Sequence, residues 1–229
     1  MRILLCLFVL LLPPHAARRQ DGRRFLDVKL IPSAGKTLKD FVPRGWVIEE
    51  QANGDLNGDG AADAALRLIE DLPQAAADGA WNERFRALVV LLKKPDGTFE
   101  RAGVATRLLY CSTCAGMLSD PDGGNLSVAI KNGILNVYQL SGAREATDLT
   151  QRFRYDTRLK RFVLIGEDRE VYDRPDGDGT TVSTNYLTGV RKSKTTKLFK
   201  EGQEPRVVSN KTARIPVSRR FIEDIDYEH

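Results

Sequence analysis

Nine consecutive residues, DLNGDGAAD at positions 55–63, place oxygen-bearing side chains where they could bind a cation. Counted from the first aspartate, side-chain oxygens fall at positions one, three, five and nine. Alternate side chains of a loop that coils around an ion converge on one point, and Ca²⁺ requires hard, mostly anionic oxygen ligands. The backbone carbonyl at position seven is also placed to point inward. The spacing predicts a Ca²⁺ site formed by Asp55, Asn57, Asp59, Ala61 and Asp63.

The loop departs from an EF-hand in one position. Gly60 stands at position six, where the chain must turn sharply, but position twelve is Leu66 and not a bidentate Glu. Asp63 must then complete the ligand set, and Leu66 lies in an apolar strand where an EF-hand would have a helix. These residues predict a structural clasp between two strands and not a calcium sensor. An ordinary solvated turn is the alternative, because Asp, Asn and Gly are all common in turns.

The pattern D-x-N-x-D-G-x-x-D between two strands resembles the calcium loops of FG-GAP and VCBS-type repeats in secreted and cell-surface proteins. In those families the loop joins neighbouring strands of a propeller blade and binds calcium structurally. The resemblance covers one strand–loop–strand unit, and one copy does not imply a closed propeller, which needs several blades. The Y-C-x-x-C segment from Tyr110, an Asn-Gly hairpin and such a loop are also similar to segments of uncharacterised bacterial exported proteins.

The pair Cys111 and Cys114 allows three interpretations. A structural disulfide is favoured; it closes a very small loop, so its entropic effect is small, but it can pin a turn beside a strand end. A redox motif needs its first Cys at a helix N-terminus, and Pro121 leaves little room for a helix. A zinc site would need two more Cys or His, and the two histidines are His15 and His229.

Catalytic motifs are scarce. The two histidines of the sequence are at positions 15 and 229, so Ser-His-Asp and Cys-His catalysis are not supported. The sequence also contains no G-x-S-x-G motif, P-loop or dinucleotide-binding fingerprint. Acid pairs for glycoside hydrolysis, such as Glu49–Glu50 or Glu167–Asp168, stay open beside the simpler interpretation of solvated strand edges. We therefore expect a non-catalytic binding, interaction or structural protein of the cell envelope. The alternatives are a thiol–disulfide protein acting through Cys111 and a hydrolase with an unrecognised acid pair.

Positive charge is concentrated near the C-terminal end. Residues 189–220 contain ten Lys and Arg against two Glu, whereas residues 221–229 contain four acids. In an exported protein such a segment favours an anionic envelope polymer or another envelope protein over nucleic acid as its partner. A solvated edge strand protected by lysines is the alternative. The predicted surface consists of Arg191, Lys192, Lys194, Lys197 and Lys200.

The first residues are typical of an export signal. A positive start is followed by a ten-residue apolar run, Ile3–Leu12, which is shorter than the roughly 20 apolar residues of a membrane-spanning helix. We expect a signal peptide at 1–17, with an uncleaved anchor as the alternative, and no other membrane-crossing segment. Residues 18–35 are expected to be a flexible lead-in and 36–229 a single domain in the periplasm or outside the cell. Losing Cys6 with the signal would leave two cysteines, which agrees with an oxidising compartment.

Short strands punctuated by turns must position these side chains. Sequential strands at close spacing with hairpin turns predict a mainly β protein, either an antiparallel meander or sandwich or a propeller-blade-like sheet, with a few short helices. The helical turns are expected near Thr37–Phe41 and Val217–Ile225. The predicted strands are Trp46–Glu50, Ala64–Ile69, Phe85–Leu92, Leu126–Ile130, Ile134–Leu140, Leu149–Tyr155, Phe162–Ile165, Thr181–Val190 and Thr195–Phe199.

Overall fold

The computed structural model describes residues 25–199 and 205–227, and β-strands dominate this part of the chain. The expected signal at 1–17 lies outside the described residues. The predicted mainly β fold is confirmed. The twelve strands of the described part are β1 (Ala34–Gly35), β2 (Trp46–Gly54), β3 (Asp63–Glu70), β4 (Arg86–Lys93), β5 (Phe99–Ala105), β6 (Leu126–Lys131), β7 (Ile134–Gly142), β8 (Glu145–Asp156), β9 (Arg161–Asp173), β10 (Gly179–Asn185), β11 (Val190–Lys197) and β12 (Arg206–Arg214).

These strands form two open antiparallel sheets. The first sheet has the order β1-β5-β4-β3-β2, and the second has the order β12-β11-β10-β9-β8-β7-β6. The second sheet is a meander, because each strand pairs with its neighbours in the sequence. The sheets pack face to face as a sandwich, which is one of the two predicted arrangements.

Local turn chemistry determines the hairpins. Asn132 and Gly133 connect β6 to β7 with φ angles of 52° and 73°. Positive φ at both central residues is the requirement of the two-residue hairpin turn whose twist matches the flanking strands, and Asn-Gly satisfies it at low steric cost. The predicted hairpin around Asp156 also forms, because the Asp156 carboxylate accepts the amide protons of Arg158 and Leu159 at 3.0 Å each.

An apolar core fills the space between the two sheets. One face of β4, formed by Leu88, Val90 and Leu92, packs in the same cluster as Phe153 of β8 and Phe162 of β9. Both aromatic rings are completely buried. Burying each such side chain contributes about 1.5–3 kcal/mol, so this layer is a major source of stability.

The opposite face of β4 is also buried. Residues 25–42, here called the covering segment, pack on it. Val89 and Leu91 pack with Leu26, Ile31 and Phe41 in a second cluster. Residues 18–35 were expected to be a flexible lead-in. In their described part, residues 25–35, Leu26 and Ile31 are instead packed into this cluster. The physical reason is the continuous apolar run of β4, which leaves no polar face to turn toward water.

The helical elements are short. The helical turns expected near residue 37 and after residue 217 are found as 3₁₀ turns at Leu38–Phe41 and Ile222–Asp224. A third 3₁₀ turn, Val28–Leu30, belongs to the covering segment. Within the described residues, no helix has the length and apolar character to cross a membrane.

The far edge of the second sheet extends beyond the sandwich. Strands β10, β11 and β12 contribute no residue to either apolar core of the described chain. Eight of the nine residues of β12 are exposed, including Val207 and Val208. This three-stranded ribbon is consequently open to solvent over most of its outer strands.

Candidate functional site

The Asp-rich loop connects β2 to β3, and its own backbone amides organise its side chains. Asp55 accepts the amide proton of Gly58 at 2.7 Å on Oδ1 and that of Gly60 at 2.9 Å on Oδ2. Gly58 and Gly60 have φ angles of 82° and 83°, a region that L side chains rarely adopt, so both positions require glycine. The two amide protons, that of Gly60 first, lower the pKa of Asp55 below its usual value.

Two further predicted oxygen ligands follow at alternate positions. The Asn57 side-chain oxygen accepts the Asp59 amide proton at 2.9 Å, and Asp59 Oδ1 accepts that of Ala61 at 2.8 Å. The Asn57 side-chain amide donates to Asp59 Oδ2 at 2.9 Å. These contacts hold the two side chains together on the solvent side of the loop.

Asp63 has a different role from the other loop acids. It is fully buried, with an exposed fraction of 0%. Its carboxylate accepts the amide protons of Leu56 and Lys93, each at 2.8 Å, and so ties the loop to β4. Burial is the main cause that raises the pKa of Asp63, and the carboxylates of Asp59 and Asp55 raise it further. A cation in the loop would stabilise the charged form.

The donor set of the loop fits Ca²⁺ in its chemistry. Each carboxylate oxygen has two lone pairs, and the amide contacts described above use one, so lone pairs remain on Asp55 and Asp59. Asp55, Asp59 and Asp63 do not bring three carboxylate oxygens within 4.8 Å of one another; within the described residues, such a group of three potential ligand atoms is formed by Glu83, Cys111 and Cys114.

A cleft of about 340 Å³ adjoins the loop. Asn57 and Asp59 form part of one wall, and Tyr155 and Lys160 lie on the side of the second sheet. Lys94 also lines the cleft. The Tyr155 ring packs against Phe162 with centroids 5.1 Å apart, which fixes its position. The cleft thus combines an aromatic surface with charges of both signs.

The two cysteines lie in a tight turn. The structure places their sulfur atoms at bonding distance, and the Cys114 amide donates to the Cys111 carbonyl at 3.2 Å. Turn residues and not a helix follow Cys111. The Ser112 hydroxyl donates to the Asn82 carbonyl at 2.8 Å and accepts the Arg84 amide proton at 2.9 Å. The turn is therefore pinned to the segment 82–84.

The acid pair Glu49–Glu50 is engaged in ion pairs. Glu49 binds the guanidinium of Arg86 through both oxygens, each at 2.7 Å. Arg67 lies 2.8 Å from Glu49 and 2.9 Å from Glu50. Arg86 and Arg67 are both buried, and we did not predict either as a partner. The sequence signal was an arginine inside each of two apolar strands, which requires a buried counter-charge.

The second candidate acid pair is separated by the sheet. Consecutive residues of a strand point to opposite faces, so Glu167 and Asp168 of β9 cannot act on one substrate atom. Glu167 accepts a hydrogen bond from Gln151 at 3.0 Å, whereas Asp168 pairs with Arg152. The pair Glu49–Glu50 is thus held in ion pairs, and the pair Glu167–Asp168 is divided between two faces of the sheet.

The predicted basic surface is divided between two faces of the ribbon. The alternation along β11 places Arg191 and Lys197 on one face and Lys192 and Lys194 on the other. The Arg191 guanidinium donates to the Thr184 hydroxyl at 3.3 Å. Lys200 lies outside the described residues. The named surface did not include the neighbouring basic residues of β12, although the basic segment 189–220 contains them; they are Arg206, Lys211 and Arg214.

Comparison with known proteins found no similarity. No protein-family model matches the sequence, and no curated protein and no solved structure matches it. The resemblance to FG-GAP and VCBS-type loops therefore rests on the loop residues alone.

Proposed function

We propose that the protein is an exported, non-catalytic binding protein of the cell envelope that holds an anionic polymer on the ribbon formed by β10, β11 and β12. One observation carries this proposal. Strands β11 and β12 contain seven Lys or Arg and no acid, and all seven side chains are exposed.

The charge of the ribbon is not neutralised within the described chain. Ion pairs form at many other places in the described part, but none of them includes a basic residue of β11 or β12. The acids that share a face with Lys192 and Lys194, Asp168 and Glu170, lie two strands away on β9. A linear polyanion that follows the edge of the sheet would meet positive charge on both faces.

The Asp-rich loop has a supporting role in this proposal. We assign a structural Ca²⁺ to this loop. Its ligands would be the side chains of Asp55, Asn57, Asp59 and Asp63 and the backbone carbonyl of Ala61. The ion would supply the counter-charge for the buried Asp63 and stiffen the junction of β2, β3 and β4. The export signal at 1–17 and a periplasmic or secreted location belong to the same proposal.

Binding to an immobilised polyanion tests the proposal. Dextran sulfate and polygalacturonate are suitable probes, and the variant carries Lys192→Gln, Lys194→Gln and Lys211→Gln. Because each lysine near an anionic surface contributes about 1 kcal/mol, we expect the triple variant to lose at least about tenfold in affinity at low salt. The affinity of the unmodified protein should fall with added salt.

A second triple variant provides the matched control. Lys29→Gln, Lys36→Gln and Lys39→Gln remove the same net charge from exposed positions in the covering segment. We expect less than a twofold change. Equal losses in both variants would mean that total charge and not the ribbon determines binding, and affinity that ignores salt would contradict an electrostatic site.

A further inference from the structure

A carboxylate lies beside the cysteine turn at nearly equal distances from its two sulfurs. Glu83 Oε1 is 3.8 Å from Cys111 Sγ and 3.9 Å from Cys114 Sγ. Glu83 is placed there by its neighbours, because Asn82 and Arg84 are hydrogen-bonded to Ser112 within the turn. Backbone contacts thus hold the segment that carries Glu83 beside the cysteine turn, and the exposed Glu83 side chain reaches the sulfurs from there.

The two sulfur-to-oxygen distances are close to those of a tetrahedral zinc site, whereas the sulfurs themselves are joined in the disulfide and must separate on reduction. With Zn–S near 2.3 Å and Zn–O near 2.1 Å, sulfur and oxygen ligands of one ion lie roughly 3.6 Å apart. The observed sulfur-to-oxygen distances are within a few tenths of an ångström of this value. The Cα atoms of the two cysteines are 4.9 Å apart, which lets both side chains face the same point.

The environment allows an ion to enter while it protects one ligand. Cys111 is buried with an exposed fraction of 1%, Cys114 is half-buried and Glu83 is exposed. The Tyr227 hydroxyl lies 3.6 Å from Cys114 Sγ and can donate to a thiolate there. Such a donor outside the ligand set orients and stabilises a metal-bound thiolate.

We propose that reduction of the Cys111–Cys114 disulfide creates a Zn²⁺ site formed by the two thiolates and the Glu83 carboxylate, with water at the fourth position. In this reduction the Cys111–Cys114 disulfide takes up two electrons and two protons from an external dithiol. The external dithiol is oxidised to its own disulfide. The two thiols then release two protons as their sulfurs bind Zn²⁺. Zinc binding and the disulfide exclude each other, because zinc binds the anionic thiolates and the sulfurs of a disulfide carry no such charge.

This site differs from the four-Cys/His arrangement considered for the sequence. Three protein ligands and an open position are typical of zinc sites that exchange their fourth ligand. The proposal is also independent of the polyanion-binding ribbon, because no residue of β11 or β12 takes part. It makes the turn a redox-dependent metal site and not only a structural staple.

A zinc titration of the chain that carries Cys6→Ser tests the proposal, because Cys111 and Cys114 are then its two thiols. The protein is reduced with a phosphine, and Zn²⁺ is titrated against a chromophoric chelator with Ca²⁺ in excess to saturate the Asp-rich loop. We expect the reduced protein to bind one equivalent of zinc and the oxidised protein to bind none. Co²⁺ in place of Zn²⁺ should give thiolate charge-transfer absorption in the reduced protein alone.

Three variants identify the ligands. We expect Cys114→Ser to abolish zinc binding and Glu83→Gln to weaken it at least tenfold, while Glu145→Gln, an exposed glutamate elsewhere, leaves it unchanged. Circular dichroism shows whether each variant is folded, and Glu83→Gln changes only an exposed side chain. Equal zinc binding by oxidised and reduced protein, or by Glu83→Gln and the unmodified chain, would overturn the proposal.

Discussion

At the scale of single residues, Arg86 shows how much of the structure depends on paired charges. Its side chain is completely buried, yet its guanidinium reaches Glu49 and the carbonyl of Tyr110, at 3.2 Å. Arg67 extends the network to Glu50 and to the carbonyl of Leu126, at 3.0 Å. Two arginines and two glutamates balance, so the buried region is neutral as a whole.

Removing one member of this network leaves a buried charge without its partner. We expect Glu49→Gln to lower the free energy of unfolding by about 3–5 kcal/mol, because the guanidinium of Arg86 then has no carboxylate. Urea denaturation monitored by tryptophan fluorescence measures the loss. The control Glu170→Gln removes an exposed carboxylate and should change stability by less than about 0.5 kcal/mol. Similar midpoints for both variants would contradict a structural role of the network.

At the scale of elements, the loop between β2 and β3 combines two functions in nine residues. Asp63 anchors it to β4 through a contact with Lys93, whereas Asp55, Asn57 and Asp59 face solvent. Sequence analysis could predict a ligand pattern here, because the spacing of the residues is local. It could not identify the anchor, because the Lys93 amide is thirty residues away and is brought near only by the pairing of β3 with β4.

A calcium ion in this loop must stabilise the folded state. We expect the melting temperature to rise with Ca²⁺, since an ion at a hundredfold excess over its Kd adds about 2.7 kcal/mol to the free energy of unfolding. Asp59→Ala should remove this rise and change the melting temperature in chelator only slightly.

The matched control for the calcium experiment is Asp78→Ala. Asp78 accepts the amide proton of the residue two positions later, Ala80, in the same way as Asp59 accepts that of Ala61. The two variants therefore lose the same type of turn contact, and only the loop variant loses a proposed calcium ligand. A calcium-independent melting temperature in the unmodified protein would make the loop an ordinary turn.

The other elements were predictable to different degrees. Hairpins followed from Asn132-Gly133 and Asp156, whose turn chemistry acts over a few residues. The alternation of side chains along β11 already implied that its basic residues lie on two faces. The position of β11 near the edge of the sheet could not be predicted, because it depends on which strands pair. The approach of Glu83 to the cysteines required the tertiary fold, because they are separated by the strands β4 and β5.

At the scale of the whole molecule, the first sheet is a middle layer. The second sheet covers one of its faces, and the segment from Phe25 to Val42 covers the other. The sandwich therefore needs this segment for its stability, although it contains only short 3₁₀ turns and the two-residue strand β1.

Phe41 tests the contribution of the covering segment. Its ring is completely buried in the second cluster, so we expect Phe41→Ala to lower the free energy of unfolding by about 3–5 kcal/mol. Phe199→Ala, at a position with 65% exposure, is the control and should be nearly neutral. Denaturant midpoints compare the two. Equal and small effects would mean that the covering segment is not part of the cooperative structure.

The covering segment also has a consequence for the order of events in folding. Residues 25–42 leave the ribosome before the strands they cover, and Leu26, Ile31 and Phe41 have no apolar partner until β3 and β4 exist. Native contacts at such long separation form slowly, because a large loop must close first. The chain would therefore stay unfolded for longer after synthesis begins. Under the export proposed above, that delay would favour transport over premature folding.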